Sequence, residues 1–393
     1  MEDPVVVVDG ARTPIGTYGG LFKDTPTSEL GAVAVRAAIE RASVDPSEVD
    51  EVVLGCVGQV GPEAFNARRA ALAAGLPVTS NAYNVNRLCG SGLQAIWTGA
   101  MEISAGEAEI VVASGNENMS LQPFLDYGAR RGYRLGDRTL VDGTLSLVTD
   151  PWGQYAMGVT AERVAEQFSV SRAEQDDFAY QSQVRAKAAV ESGVFSDEIV
   201  AVTVNERGTQ RSVTQDEHPR PDTTREKLGR LRPAFKENGG VTAGNSSGIN
   251  DGAAAVVLMR ESVARARGVT PMGRLLGVAK GATEPEIMGY APTVAIDRVL
   301  KKLGLSVQDM DVIELNEAFA AQAVAVIRDA KLDMERVNPL GGAIAFGHPV
   351  GATGAILTLK LLHELRRREA DLGMVTMCIG GGQSLAAVFQ RLS

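Results

Sequence analysis

Three cysteines and three histidines hold most of the nucleophilic and acid–base capacity of this 393-residue chain. Cys89 stands in Asn84-Val85-Asn86-Arg87-Leu88-Cys89-Gly90-Ser91-Gly92-Leu93, ahead of an apolar stretch with helical spacing. A cysteine at a strand-to-helix turn lies at the positive end of the helix dipole, which favours the thiolate. Flanking glycines allow a tight turn and bring backbone N–H groups close to a substrate, where they can stabilise an oxyanion. A small buried hydrophobe is the plainer alternative for any single cysteine. His348, in Gly347-His348-Pro349-Val350-Gly351-Ala352-Thr353-Gly354, is the natural base. A nearby helix N-terminus pushes an imidazole towards its neutral form. A hydrogen-bonded loop histidine is its plainer reading. His363 reads as a helix-surface residue, and His218 sits in a polar stretch.

Cys378 ends the run Met374-Val375-Thr376-Met377 before Gly380-Gly381-Gly382, and read alone is a buried structural thiol. Cys56 follows another apolar run but opens no helix, so it belongs to the core. In Glu314-Leu315-Asn316-Glu317-Ala318-Phe319, Asn316 could hold a water or an oxyanion and Glu317 could orient a neighbour. Solvated helix-start residues are the alternative. Small polar residues in Gly244-Asn245-Ser246-Ser247-Gly248 could line the polar arm of a ligand, yet they match neither GxGxxG nor GxxxxGK[ST]. A Rossmann or P-loop nucleotide site is therefore rejected. Cysteine spacing gives no zinc pattern and no disulfide framework.

Positioning these groups falls to alternating strands and helices. Val5 to Val8 and Val52 to Leu54 read as buried strands, and Ser28 to Ala42 as a helix with Ser28 at its N-cap. Alternation of this kind implies a layered α/β fold. The pattern recurs: Leu30 to Gly55 is echoed by Thr293 to Asn316, and Val85-Asn86 with Cys89 by Val337-Asn338 with His348. Both echoes fall roughly 250–260 residues apart in the same order, which implies a duplicated unit. Between the halves, residues 119–249 form a polar insert with helices near Thr160–Phe168 and Arg172–Ser192, suited to a lid or ligand-binding role.

Composition bounds the function. Hydrophobic residues make up 45% and charged residues 22%, the balance of a soluble globular protein. No apolar run reaches the roughly 20 residues of a membrane span. Met1-Glu2-Asp3-Pro4 carries no basic leader, and Arg391-Leu392-Ser393 is not the Ser-Lys-Leu address, so a cytoplasmic location is expected. A net charge of -9 argues against a nucleic-acid partner.

Taken in order, Arg12-Thr13-Pro14-Ile15-Gly16, the Cys89 motif, Asn316-Glu317-Ala318-Phe319, Gly347-His348-Pro349 and Cys378-Ile379-Gly380-Gly381-Gly382 resemble the thiolase family across essentially the whole chain. Residue choices are most similar to bacterial biosynthetic ketothiolases. The resemblance implies an α/β thiolase fold: two similar halves in a five-layered α-β-α-β-α arrangement with an inserted loop domain. It places the first half at 1–118 with 250–270, the insert at 119–249 and the second half at 271–393. It implies reversible Claisen condensation of two acyl-CoA molecules to 3-ketoacyl-CoA and CoA, with no metal and no cofactor beyond the CoA carried by the substrate. Cys89 would carry the acyl group, His348 would activate it, and Cys378 would move the α-proton. Asn316 would hold an oxyanion-hole water with His348, and the N–H groups of Cys89 and Gly380 would form a second hole. Arg220, Ser247, Ala318, Phe319, Met157, Met288 and Phe235 would contact the acyl-CoA. A homotetramer is implied, built partly through Leu121 to Val141, which carries Arg130, Arg131, Arg134 and Arg138. The chain departs from the family pattern at Ser114, Asn116, Ala156, Ala291, Thr293 and Ser384. These positions leave open a degradative 3-ketoacyl-CoA thiolase acting on longer chains. A decarboxylating ketoacyl synthase would lack Cys378, and a non-catalytic acyl-CoA carrier would not need both cysteines, His348 and Asn316.

Overall fold

The computed structural model describes residues 3–206 and 208–392; Met1, Glu2 and Ser393, which enter the reading of the termini, lie outside the described residues. The first half runs β1 (Val5–Arg12), α1 (Thr27–Arg41), β2 (Glu51–Gly55), α2 (Asn66–Ala74), β3 (Asn81–Val85), α3 (Ser91–Ala105), β4 (Val111–Asn118) and, beyond the insert, β5 (Asn250–Arg260). The insert contributes α4 (Met157–Gln167) and α5 (Arg172–Ser192). The second half follows with β6 (Gly273–Ala282), α6 (Pro292–Leu303), β7 (Val312–Leu315), α7 (Ala320–Asp329), α8 (Thr353–Arg368), β8 (Leu372–Ile379) and β9 (Gln383–Arg391).

The strands form one continuous ladder of two halves, the first sheet β3-β2-β4-β5-β1 and the second β7-β8-β9-β6, joined where Val6 and Val7 of β1 pair with Arg274 and Gly273 of β6. Strand order is the same in both, with β2 and β7 each in a parallel pairing to its neighbour. The duplication is therefore structural. Val337 takes the place of β3 in the second half through a single bridge to Ile313 rather than a full strand.

Burial sorts the helices into layers. β1 begins with four β-branched residues, all buried, which suits a strand covered on both faces. On the outer side of the first sheet, α1 and α2 bury Leu30, Val35, Ala38, Ala67 and Ala71. On the outer side of the second, α6 and α7 bury Ile296, Val299, Ala323 and Val326. Between the sheets lie α3 and α8, whose Leu93, Ile96, Ile103, Leu359, Leu361 and Leu362 share one core with both. Each such side chain contributes about 1.5–3 kcal/mol by leaving water. A helix apolar on every face has only the middle of a protein to occupy. Ser28, expected at the N-cap of α1, lies buried inside its first turn; Pro26 holds the cap position.

The central layer sets up the chemistry. A Cβ on Gly92 would lie 2.7 Å from Ala355 N, so α3 and α8 can start side by side only with glycine there. That packing places the turn before α3, carrying Cys89, against the turn before α8, carrying His348. Among the described residues, no helix is long and apolar enough to cross a membrane.

Candidate active site

Cys89 sits on a strained elbow. Leu88 before it takes φ +46, a left-handed conformation that a leucine rarely adopts. The turn is locked by short bonds: Leu88 N–H donates to Asn86 Oδ1 (3.0 Å), Ser91 Oγ donates to Leu88 O (2.6 Å), and Arg87 N–H donates to Ser91 Oγ (2.9 Å). The backbone N–H groups of Gly380 and of Cys89 itself face the sulfur.

The thiol is not a preformed thiolate. Burial pushes Cys89 up to about 11, and the Glu117 charge pushes the same way; the two N–H donors pull down but do not win. This corrects the expectation drawn from the helix end. The dipole acts only over the first turn, whereas the cleft removes water from the whole side chain.

His348 is 6% exposed. Its Nδ1 lies 2.6 Å from Thr353 Oγ1, and the Thr353 hydroxyl proton goes to Pro349 O at 2.9 Å. Thr353 can then only accept, so Nδ1 carries the proton and Nε2 is a bare acceptor. Burial lowers His348 to about 4, which keeps the ring neutral. Its Nε2 faces Asn316 Nδ2 at 3.5 Å, and Asn316 Oδ1 is buried without a hydrogen-bond partner.

Cys378, the last residue but one of β8, is buried directly across the ladder from Ser384 of β9. Burial raises its pKa, and the Cys89 charge raises it further, so the two sulfurs sense each other.

A cleft of about 210 Å³ joins these groups. Cys89, His348, Cys378 and Gly380 line it together with Met157, Met288, Phe235, Ser247, Ala318 and Phe319. Asn316 stands just behind His348 rather than on the wall. Phe235 and Phe319 meet edge to face at 6.0 Å, and Ser247 N–H donates to Ala318 O at 3.0 Å, so insert and second half close one side together. Leu145, Leu147, Val148 and Ala156 extend the apolar wall along the insert.

Arg220 is not among the cleft residues. It is exposed, its N–H donating to Gln183 Oε1 at 3.0 Å, because its segment is tethered to α5 and to β1. Cys56 lies in the core, as expected. Glu317 is no solvated helix start: it is buried and accepts from Ser182 Oγ (2.7 Å), Asn338 Nδ2 (2.8 Å) and Ile344 N (3.1 Å), tying α5 to the loop before His348. His363 is half-buried rather than a surface residue, and desolvation lowers it to about 4. Reading the sequence missed Thr353 and Glu117. Glu117 is buried, pushed up to about 7 by desolvation, and accepts from Val57, Gly58 and Gly351 N–H at 3.0 Å each, pinning the turn after β2 to the turn after His348. Thr353, a small polar residue five positions beyond His348 at a helix start, carried a usable signal. Glu117, inside a strand, carried none.

Known proteins match this chain from end to end. The family model for the thiolase N-terminal domain matches residues 5–262, and that for the thiolase C-terminal domain matches residues 269–391. The β-ketothiolase of Cupriavidus necator is 48% identical over 394 residues, covering 100% of both chains. The Bacillus anthracis acetyl-CoA acetyltransferase structure superposes with a TM-score of 0.98 at 44% identity, covering 99% of each chain. The human mitochondrial 3-ketoacyl-CoA thiolase structure gives 0.96 at 43% identity, again covering 99% of each. A duplicated α/β fold that gathers two cysteines and a neutral histidine into one cleft, in a chain matched along its length by both family models, belongs to the thiolase family of acyltransferases.

Proposed function

We propose that this enzyme catalyses reversible Claisen condensation of two acyl-CoA molecules to a 3-ketoacyl-CoA and free CoA, by a ping-pong route through acylated Cys89. The observation that carries the proposal is the shared cleft of Cys89, His348 and Cys378 with His348 Nε2 unprotonated. In the first half-reaction the Cys89 proton passes to Nε2 as the sulfur attacks the thioester carbonyl. Charge develops on the carbonyl oxygen, where the new Nε2–H and a water held by Asn316, whose Oδ1 is buried without a partner, can stabilise it. CoA leaves with the proton, and Cys89 holds the acyl group. In the second half-reaction Cys378 passes its proton to the freed Nε2 and, as thiolate, takes the α-proton of the incoming acyl-CoA. The carbanion attacks the acyl carbon, Cys89 departs as thiolate, and the Nε2 proton passes to it. Backbone N–H groups of Cys89 and Gly380, which already face the sulfur, stabilise the oxyanion of the acyl-enzyme. Splitting one hard step into two is the gain of covalent catalysis. No group beyond the two thioesters is needed.

The two cysteines divide the work. Burial, more than the neighbouring Cys89, holds Cys378 as a thiol until it is called on as a base. Arg220, exposed outside the cleft, is the contact for the CoA that extends from it.

Short acyl groups, giving ketoacyl products of about four or five carbons, are the preferred substrates; residue choices close to biosynthetic ketothiolases support this. One methylene changes discrimination by only about 1–3 kcal/mol, so selectivity is graded. The human 3-ketoacyl-CoA thiolase likeness and the small Ala156 on the apolar wall favour longer chains as the second reading. Thiolysis of 3-ketoacyl-CoA thioesters from about four to sixteen carbons decides: kcat/KM falls with length on the first reading. A maximum at about eight carbons or beyond establishes the degradative type.

A homotetramer fits the surface. β3 is an edge strand with one side of its backbone unpaired, and Phe124, Tyr127, Leu135 and Trp152 of the insert are exposed.

A further inference from the structure

A second histidine, unused in the mechanism above, is tied to the backbone of His348. The His348 N–H donates to Asn250 Oδ1 at 2.9 Å. Asn250 is fully buried at the start of β5, and its amide nitrogen has two neighbours: Gly16 O at 2.9 Å and His218 Nδ1 at 3.2 Å. An amide NH₂ has two protons and accepts nothing, so His218 Nδ1 must offer a lone pair. Burial keeps the His218 ring neutral, at about 4, so the Nδ1 lone pair is available. Gly16 O and the His348 N–H also fix the asparagine: turned over, its oxygen would face Gly16 O and its NH₂ would face the His348 N–H.

The seat is tight. Gly347 takes φ +101, and a Cβ there would overlap the Asn250 amide. His218 is itself held by neighbours on its segment. Asp216 receives a bidentate pair from Arg12 (2.7 and 3.0 Å), and Glu217 Oε2 accepts from Thr17 N (2.8 Å) and Leu21 N (3.1 Å). The ring lies against Gly248, which is part of the cleft wall.

We propose that His218 is a positioning residue for the thiolase reaction: its Nδ1 lone pair orients the Asn250 amide, and Asn250 fixes the loop that aims His348 Nε2 at Cys89. This rests on reading Cys89 as nucleophile and His348 as base. Because Arg220 lies two residues further on, the same segment that meets CoA outside the cleft also holds the base inside it.

Three variants test this against simple wall packing. His218→Leu keeps bulk and removes the acceptor. His218→Asn places a carbonyl oxygen near the position of Nδ1. His218→Gln places its amide near the other ring nitrogen instead. Melting temperature and KM report structure; kcat for thiolysis of acetoacetyl-CoA and the rate of Cys89 alkylation by iodoacetamide report the aim of His348. The expected result is a roughly 10- to 100-fold loss of kcat in the Leu and Gln variants, with little change in KM, slower alkylation, and recovery of both rates in the Asn variant. Equal impairment of all three in step with their melting temperatures, or a Leu variant with unchanged kcat and alkylation, overturns the proposal. Should the wild-type protein turn over no acyl-CoA, the function reading falls, and the alkylation ranking still decides the role of His218.

Discussion

Replacing Cys378 with serine should separate the two half-reactions. The site is 1% exposed, and serine is nearly the same shape, so no cavity opens. A buried hydroxyl left unpaired costs about 1–3 kcal/mol, against a total stability of about 5–15 kcal/mol, so the variant should fold. Its hydroxyl is a far weaker acid than the thiol and cannot serve as the base. Losing a positioned base costs roughly 10²–10⁴-fold, about 3–5 kcal/mol of barrier. That loss belongs to condensation alone, because acyl transfer to Cys89 needs no α-proton removed. Single-turnover labelling from acetyl-CoA measures the first half-reaction, and acetoacetyl-CoA formation measures the second. The expected outcome is near-normal labelling with crippled condensation. Equal loss in both, with melting unchanged, would refute the division of labour.

Thr353→Val removes the group that accepts from His348 Nδ1 while keeping its shape. It should lower kcat at least about 10-fold with little change in KM, since a buried N–H without a partner frees the ring to change tautomer; an unchanged kcat contradicts that assignment. Because burial pushes the Cys89 thiol to about 11, alkylation of the resting enzyme by iodoacetamide should still be rising between about pH 7 and 10. The sign follows from the raised pKa: the thiolate fraction grows with every step in pH below it. A plateau with a midpoint near neutral would show a preformed thiolate. Light scattering at micromolar concentration should give a tetramer, and a monomer would remove the role assigned to the edge strand β3.

Glycine-flanked Cys89 and His348 were legible because their chemistry is written locally, in turns that open helices. The fold was legible for a different reason: the duplicated order of strands and helices survives as two echoes in one chain. What sequence could not supply was the outcome of competition between distant groups. The helix end pulls the Cys89 pKa down, but burial contributed by the insert and the second half decides it. Asn250 and His348 are 98 residues apart, and Arg12 and Asp216 are 204 apart; no spacing rule connects such pairs. Glu317 reads as a helix-start residue, yet its carboxylate is bound by α5 and the loop before His348. Arg220, given a CoA contact by the resemblance, is exposed and lies outside the cleft, a placement that its long-range ties to α5 and β1 decide and no local spacing reveals.

The central claim is a covalent acyl group on Cys89. Incubating the protein with acetyl-CoA, quenching in acid and mapping peptides by mass should place the acetyl group on Cys89, and Cys89→Ala should abolish it. A reproducible acetyl group on Cys378, with Cys89 unmodified, would contradict the account.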